Sequence, residues 1–179
     1  MIEKGSSIEK RKCPKRKTGV CANCQPCALT TGFSGGGSFS DGKLSINQDG
    51  EIGGELAQFI GIEKFREILL YVDDLYVGFG ADNKVYSSHH SPEVDLIRRQ
   101  AAQAHLKLLD SRVRHMGTEK AYDIYSRIQL ELEDMGVQMV FETTVQDLLI
   151  EDLPSGEKKV YGVVLADGSQ LYAEHIVAA

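Results

Sequence analysis

The four cysteines of this chain lie within fifteen residues, at Cys13, Cys21, Cys24 and Cys27, in the pattern C-x7-C-x2-C-x2-C. Two-residue spacings let neighbouring thiolates converge on one ion or cluster, and four thiolates complete a first shell for zinc or for iron–sulfur. Pro14 and Pro26 stiffen the loop and lower the entropy lost on ordering it. The spacing does not choose between the two metals. The same residues also suit a redox pair within the C-x2-C segments, or reduced thiols in a loop.

A second chemical stretch follows at once. Eight of the eighteen glycines fall between Gly32 and Gly54, and Gly35-Gly36-Gly37-Ser38-Phe39-Ser40-Asp41-Gly42-Lys43 is the densest part. Peptide without side chains offers successive N–H groups to an anion or a flat ring. Lys43 adds a point charge, and Ser38, Ser40 and Asp41 add hydrogen-bonding groups. A flexible loop has the same composition. A third candidate is Arg114-His115-Met116-Gly117-Thr118, a guanidinium and an imidazole just ahead of a helix start, where anions are favoured. A surface turn with a helix cap reads identically. His89-His90 suits a solvated loop, and His105 and His175 receive no role.

The elements that must position these groups are read from periodicity. Residues 6–20 are polar, basic and aperiodic, which predicts a loop. Lys43 to Glu51 is short and polar, with turn chemistry at Asn47, Asp49 and Gly50. A short helix is expected over 54–60. Ile62, Phe65, Ile68, Leu69, Val72, Leu75 and Tyr76 then recur at helical steps up to Gly78 and Gly80. Residues 84–87 suit a brief strand. Ser91-Pro92-Glu93 starts a helix with a hydroxyl cap, a proline and an acid, and that helix is expected to reach Leu109. Arg112–Met116 reads as extended. Thr118 caps a helix whose buried face is Ala121, Ile124, Ile128, Leu132 and Met135, closed by a left-handed glycine at Gly136. From Val137 the period is two: strands over 137–141, 145–150, 160–165 and 170–173, an Asp167-Gly168 hairpin turn, and a final strand at 175–179.

At 179 residues the chain suits one domain with a real core. Its net charge of −6 is unevenly spread. Residues 1–17 carry seven Lys/Arg against Glu3 and Glu9, while the remainder carries thirteen against twenty-four acids. That acidity disfavours nucleic acid beyond the basic arm. No run approaches the ~18–20 apolar residues that span a bilayer, and no apolar segment follows the N-terminal charges as in a secretory signal. The expected compartment is the cytoplasm.

Taken together, Cys13-Pro14, the Cys-x2-Cys-x2-Cys run, the glycine segment ending in Phe39-Ser40-Asp41-Gly42-Lys43, Tyr71-Val72-Asp73, Phe79-Gly80-Ala81 and Arg114 to Glu119 resemble the bacterial NAD(P)/FAD-dependent dehydrogenases, a family of uncharacterised oxidoreductases. The meander from Val145 through Gly162-Val163-Val164 and Asp167-Gly168 to Ala179 is similar too. The resemblance implies an α/β fold: part of a glutathione-reductase-like, Rossmann-like FAD-binding domain, with an inserted helical segment and a three-stranded antiparallel meander. It divides the chain into a flavin-binding segment (1–50), a helical substrate-side segment (51–136) and the returning meander (137–179). It implies Glu3 at the adenosine ribose, Gly35, Gly36, Gly37, Ser38, Ser40, Asp41, Gly42 and Lys43 along the flavin and its phosphates, and Val145 at the adenine. Arg114, His115, Gly117 and Thr118 would lie on the substrate side, with FAD as cofactor and NAD(P)H as a further partner. The family's opening G-x-G-x-x-G unit and its C-terminal half are absent, so the chain reads as an internal fragment prone to self-association. The rival reading is a small zinc-binding interaction module with a four-cysteine knuckle and a basic arm.

Overall fold

The computed structural model describes residues 1–39, 42–47, 55–87, 91–109 and 111–179, with Ser38 as backbone only. It is a mixed α/β structure with two small antiparallel three-stranded sheets. The chain forms two compact units, residues 1–36 with 129–179, and residues 37–128. The division therefore cuts the glycine-rich segment between Gly36 and Gly37 and puts the N-terminal arm with the meander. Neither sheet has the parallel order of a Rossmann-like domain.

In the first unit, residues 1–5 run beside 138–143. Ile2 and Val140 form a parallel bridge, with Val140 N donating to Met1 O and Glu3 N to Val140 O, both at 2.9 Å. The alternating pattern over 137–141 thus becomes a bridge rather than a full strand. The basic stretch expected as loop contains a 3-10 turn at Ile8–Lys10 and a four-residue helix, α1 (Lys15–Thr18). Ile8 is fully buried, and its N–H donates to Oε1 of Gln129 at 3.0 Å. The meander numbers β4 (Val145–Asp152), β5 (Lys158–Leu165) and β6 (Gln170–Tyr172) in chain order. Its β5–β6 turn is the expected one: Gly168 has φ +85°, and the Asp167 carboxylate accepts from the N–H and hydroxyl of Ser169. Val163 and Leu165 are buried, while Leu148, Ile150 and Leu171 are exposed. The strand expected at 175–179 does not form; these residues carry no regular structure.

The second unit holds β1 (Lys43–Ser45), α2 (Leu56–Ile60), α3 (Ile62–Gly78), β2 (Tyr86–Ser87), α4 (Pro92–Gln103) and β3 (Arg112–His115). It also holds α5 (Thr118–Asp134) as far as Ile128, with the rest of that helix in the first unit. Ser91 caps α4 as expected, accepting from Val94 N at 3.3 Å. That helix ends at Gln103, short of Leu109. The polar stretch from Lys43 begins as strand β1, while Asp49 and Gly50, expected as turn chemistry, lie outside the described residues. The two residues after it, Ile46 and Asn47, are buried, and Asn47 Oδ1 accepts from Arg112 N at 2.5 Å. Sheet order is β1-β3-β2. The core is Ala81, Met116, Ala121 and Ile124, with Leu44, Tyr76, Phe79, Tyr125 and Ile128 packed against it. So the apolar face of α5 is right through Ile128, whereas Met135 is 71% exposed.

Among the described residues no helix is long and apolar enough to cross a membrane.

One buried ion pair joins α3 to β3. Arg114 Nε and Nη2 each donate to an Asp73 carboxylate oxygen at 2.7 Å, and Nη1 donates to the Asp82 carbonyl. Removing one partner strands a buried charge. Asp73→Ala should therefore cost about 3–5 kcal/mol in chemical denaturation, and the paired Asp73→Leu/Arg114→Met change should recover most of it. Equal losses in the single and paired variants would deny the ion pair this role.

Candidate functional site

Glu3 stands at the end of the parallel pairing, and the backbone there turns immediately. Its Oε1 accepts from Gly5 N at 2.7 Å, which fixes the carboxylate within a two-residue loop. Thr143 N donates to Glu3 O at 3.1 Å, so residues 143–145 lie alongside. The third wall comes from the chain after Cys27. There Thr30 N and Thr31 N donate to Cys27 O at 3.1 and 2.9 Å, and Gly35 N donates to Gly32 O at 2.8 Å. These segments enclose an open cleft of about 450 Å³, lined by Glu3, Lys4, Gly32, Gly35, Thr144 and Val145 among others. A side-chain carbon placed on Gly35 or Gly36 would meet nothing within 4 Å. The peptide there is bare toward open space.

A residue without a sequence signal holds this wall. Arg11 is buried, donating from Nε to Ala28 O at 2.9 Å and from Nη1 to Phe33 O at 2.6 Å. Burial lowers its pKa, while the charges of Glu3 and Cys27 oppose that shift. Gly32 exists to let it through: at φ +129°, an added Cβ would lie 2.6 Å from Arg11 Cδ. A second, smaller cleft of about 330 Å³ adjoins the same segment, lined by Lys4, Arg11, Pro26 and Glu142 among others.

The cysteines do not assemble. All four are free thiols, Cys13 half-buried and the other three exposed. Among the described residues no group of three or more His, Cys, Asp or Glu side chains is placed to hold a metal ion. The expected convergence of Cys13, Cys21, Cys24 and Cys27 is thus not what the fold makes. Cys27 lies where the thiol run meets the turn that walls the cleft. Its pKa is lowered, first by the Leu29 N–H, then by the Thr30 hydroxyl, with the Arg11 charge contributing least.

The remaining candidates belong to the second unit. Gly42 and Lys43 pair with the Arg114–Gly117 stretch: Lys43 is opposite His115, Leu44 opposite Arg114, and Met116 N donates to Gly42 O at 2.8 Å. Gly42 is glycine because φ is +61° and a Cβ would sit 2.6 Å from Gly117 O. Arg114 is committed to Asp73 and buried, so its guanidinium faces protein rather than an incoming anion. His115 is exposed and meets the Tyr86 ring edge-on at 6.5 Å. α5 begins at Thr118, and Gly117 O accepts from Ala121 N at 3.0 Å. Ser40 and Asp41 lie outside the described residues, as do His89 and His90.

Gly37 is not bare like Gly35 and Gly36. An added Cβ would approach Tyr125 Oη at 3.1 Å. Tyr125 Oη in turn shares a 2.6 Å hydrogen bond with Tyr76 Oη, the rings meeting edge to face at 5.8 Å. Neither hydroxyl stands out in the sequence, although the place of both tyrosines on apolar helix faces is a usable signal.

No protein-family model matches the chain, and no curated protein matches it significantly.

Burial, then the Tyr125 partner, raise the Tyr76 hydroxyl far above the usual tyrosine range. A raised acid keeps its proton in the folded state after the unfolded chain has lost it. Its stabilisation is therefore complete below the ordinary tyrosine pKa of about 10 and falls as pH rises beyond it. Denaturation midpoints should hold steady up to that pH and decline above it, and Tyr76→Phe should flatten the decline.

Proposed function

We propose that the chain is part of a flavin-dependent oxidoreductase, and that the cleft of the first unit receives the adenosine end of FAD. The observation that carries this reading is the meeting of Glu3, Gly35 and Val145 on one open cleft, from positions 32 and 110 residues apart. Its volume falls within the roughly 300–1,000 Å³ of small-molecule sites. An acid at the end of a parallel strand is the usual acceptor for ribose hydroxyls in dinucleotide folds. Glu3 directly follows the parallel Ile2–Val140 bridge, an arrangement in keeping with that role.

The residues fit the group in three respects. The Glu3 carboxylate accepts hydroxyl hydrogen bonds, oriented by Gly5 N. Gly35 and Gly36 leave main chain uncovered for a phosphate or ring to approach. Lys4 and the Thr144 hydroxyl in the same lining supply a positive charge and a donor. Bound flavin would supply hydride transfer to or from its ring system, and protein groups would supply position and electrostatics. The residues of the second unit enter this reading only by resemblance: Gly37, Gly42 and Lys43 as phosphate-side groups, and His115 to Thr118 as substrate-side groups. NAD(P)H is a fitting second electron carrier for the same chemistry. No comparable observation favours the zinc module, because among the described residues the cysteines form no metal-holding group.

FAD and ADP-ribose titrated into the full chain, followed by flavin fluorescence and calorimetry, test the reading. Both should bind, and Glu3→Gln should weaken both by about 10- to 100-fold, the worth of a hydrogen bond to a charged group. Binding of neither ligand, or binding indifferent to Glu3→Gln, overturns it.

A further inference from the structure

We propose that the smaller cleft of the first unit binds a free amino acid as a zwitterion, its carboxylate toward Lys4 and its ammonium on Glu142. The inference stands apart from the flavin reading and needs no cofactor.

It starts from charge of both signs in one lining. The cleft is about 330 Å³ and is bounded by Lys4, Arg11 and Glu142, together with Ser6, Thr31 and Thr144. That volume lies at the small end of the roughly 300–1,000 Å³ of ligand sites, which suits a molecule far smaller than a dinucleotide. A site for a plain anion would gain nothing from Glu142. A site for a plain cation would be opposed by Lys4 and Arg11. A small molecule carrying both a carboxylate and an ammonium meets both signs. The threonine hydroxyls in the same lining can donate to its carboxylate oxygens.

Glu142 is the residue that the backbone singles out. Its φ is +56°, a left-handed conformation disfavoured for a residue with a side chain. Two hydrogen bonds hold the chain there: Glu142 N donates to Gly5 O at 2.9 Å, and Thr143 N donates to Glu3 O at 3.1 Å. Ser6 Oγ donates to Glu142 Oε1 at 3.0 Å, which ties the carboxylate to the cleft wall. Strain of this kind persists where the surrounding structure imposes it, and it collects at ligand sites. Glycine or asparagine would take the same conformation at lower cost, so the backbone alone does not call for an acid at this position. Glu142 and Lys4 are both exposed, within reach of a ligand from solvent. Arg11 is buried, with Nε and Nη1 donating to Ala28 O and Phe33 O, and its charge adds positive potential to the lining.

The full chain, in flavin-free buffer at constant ionic strength, is titrated with L-alanine and followed by amide NMR. Propionate and ethylamine serve as the two half-charged analogues. L-alanine should shift the amides of residues 4–6 and 142–144, and it should bind about tenfold tighter than either analogue. Glu142→Gln should abolish the advantage over propionate while leaving propionate binding in place. Lys4→Gln should weaken L-alanine and propionate alike and spare ethylamine. Glu142→Asn suits the left-handed backbone, so it should lose the same advantage while its denaturation midpoint holds or rises, which separates lost binding from lost folding. Equal binding of L-alanine and propionate, an advantage that survives Glu142→Gln, or no shift at residues 4–6 and 142–144 with L-alanine would each overturn the proposal. Glu142 does not line the larger cleft, so these outcomes do not depend on whether FAD binds.

Discussion

The first unit depends on one guanidinium surrounded by carbonyls. Arg11 donates to Ala28 O and Phe33 O, at opposite ends of the turn that follows Cys27. A buried charge is tolerated only when hydrogen bonds replace its water, and a planar fork meets two separated carbonyls where an ammonium would not. The approach is possible because two glycines close on each other. A Cβ on Gly5 would lie 2.5 Å from Gly32 N, and one on Gly32 would strike Arg11 itself. Edge-on packing of Phe33 against Phe141, at 6.5 Å, then ties this wall toward the chain that continues to Thr143 and Val145. The cleft is thus a consequence of main chain held at close quarters, and its wall is fixed by residues with no chemistry of their own.

Much of the second unit is legible because helices announce themselves twice, by period and by termini. The Ile62–Gly78 helix follows its apolar steps, and Ser91-Pro92-Glu93 starts α4 where a cap should. In the first unit, Gly136 (φ +86°) and Gly168 (φ +85°) fall where left-handed residues are needed. What stays hidden has a common physical cause. Burial of a polar group depends on partners distant in sequence, and no local pattern encodes it. Asn47 has the look of turn chemistry until Arg112 N supplies its partner. Arg114 has the look of an anion ligand, but Asp73, 41 residues away on a helix face, claims it. Arg11 is, in sequence, one of seven basic residues in a solvated arm.

Continuity of a motif in sequence is a weaker constraint than it looks, and the glycines show why. Gly35 and Gly36 leave peptide uncovered, whereas Gly37 supports Tyr125 and Gly42 supports Gly117. Four glycines within eight residues therefore answer two separate demands. The first two face open space, and Gly35 also adopts a positive φ of +57° that favours glycine. The last two allow close packing within a compact unit. The distinction matters for function because bare peptide costs conformational entropy with no internal contact to offset it. Of these four glycines, Gly35 is the one that lines the cleft shared by Glu3 and Val145.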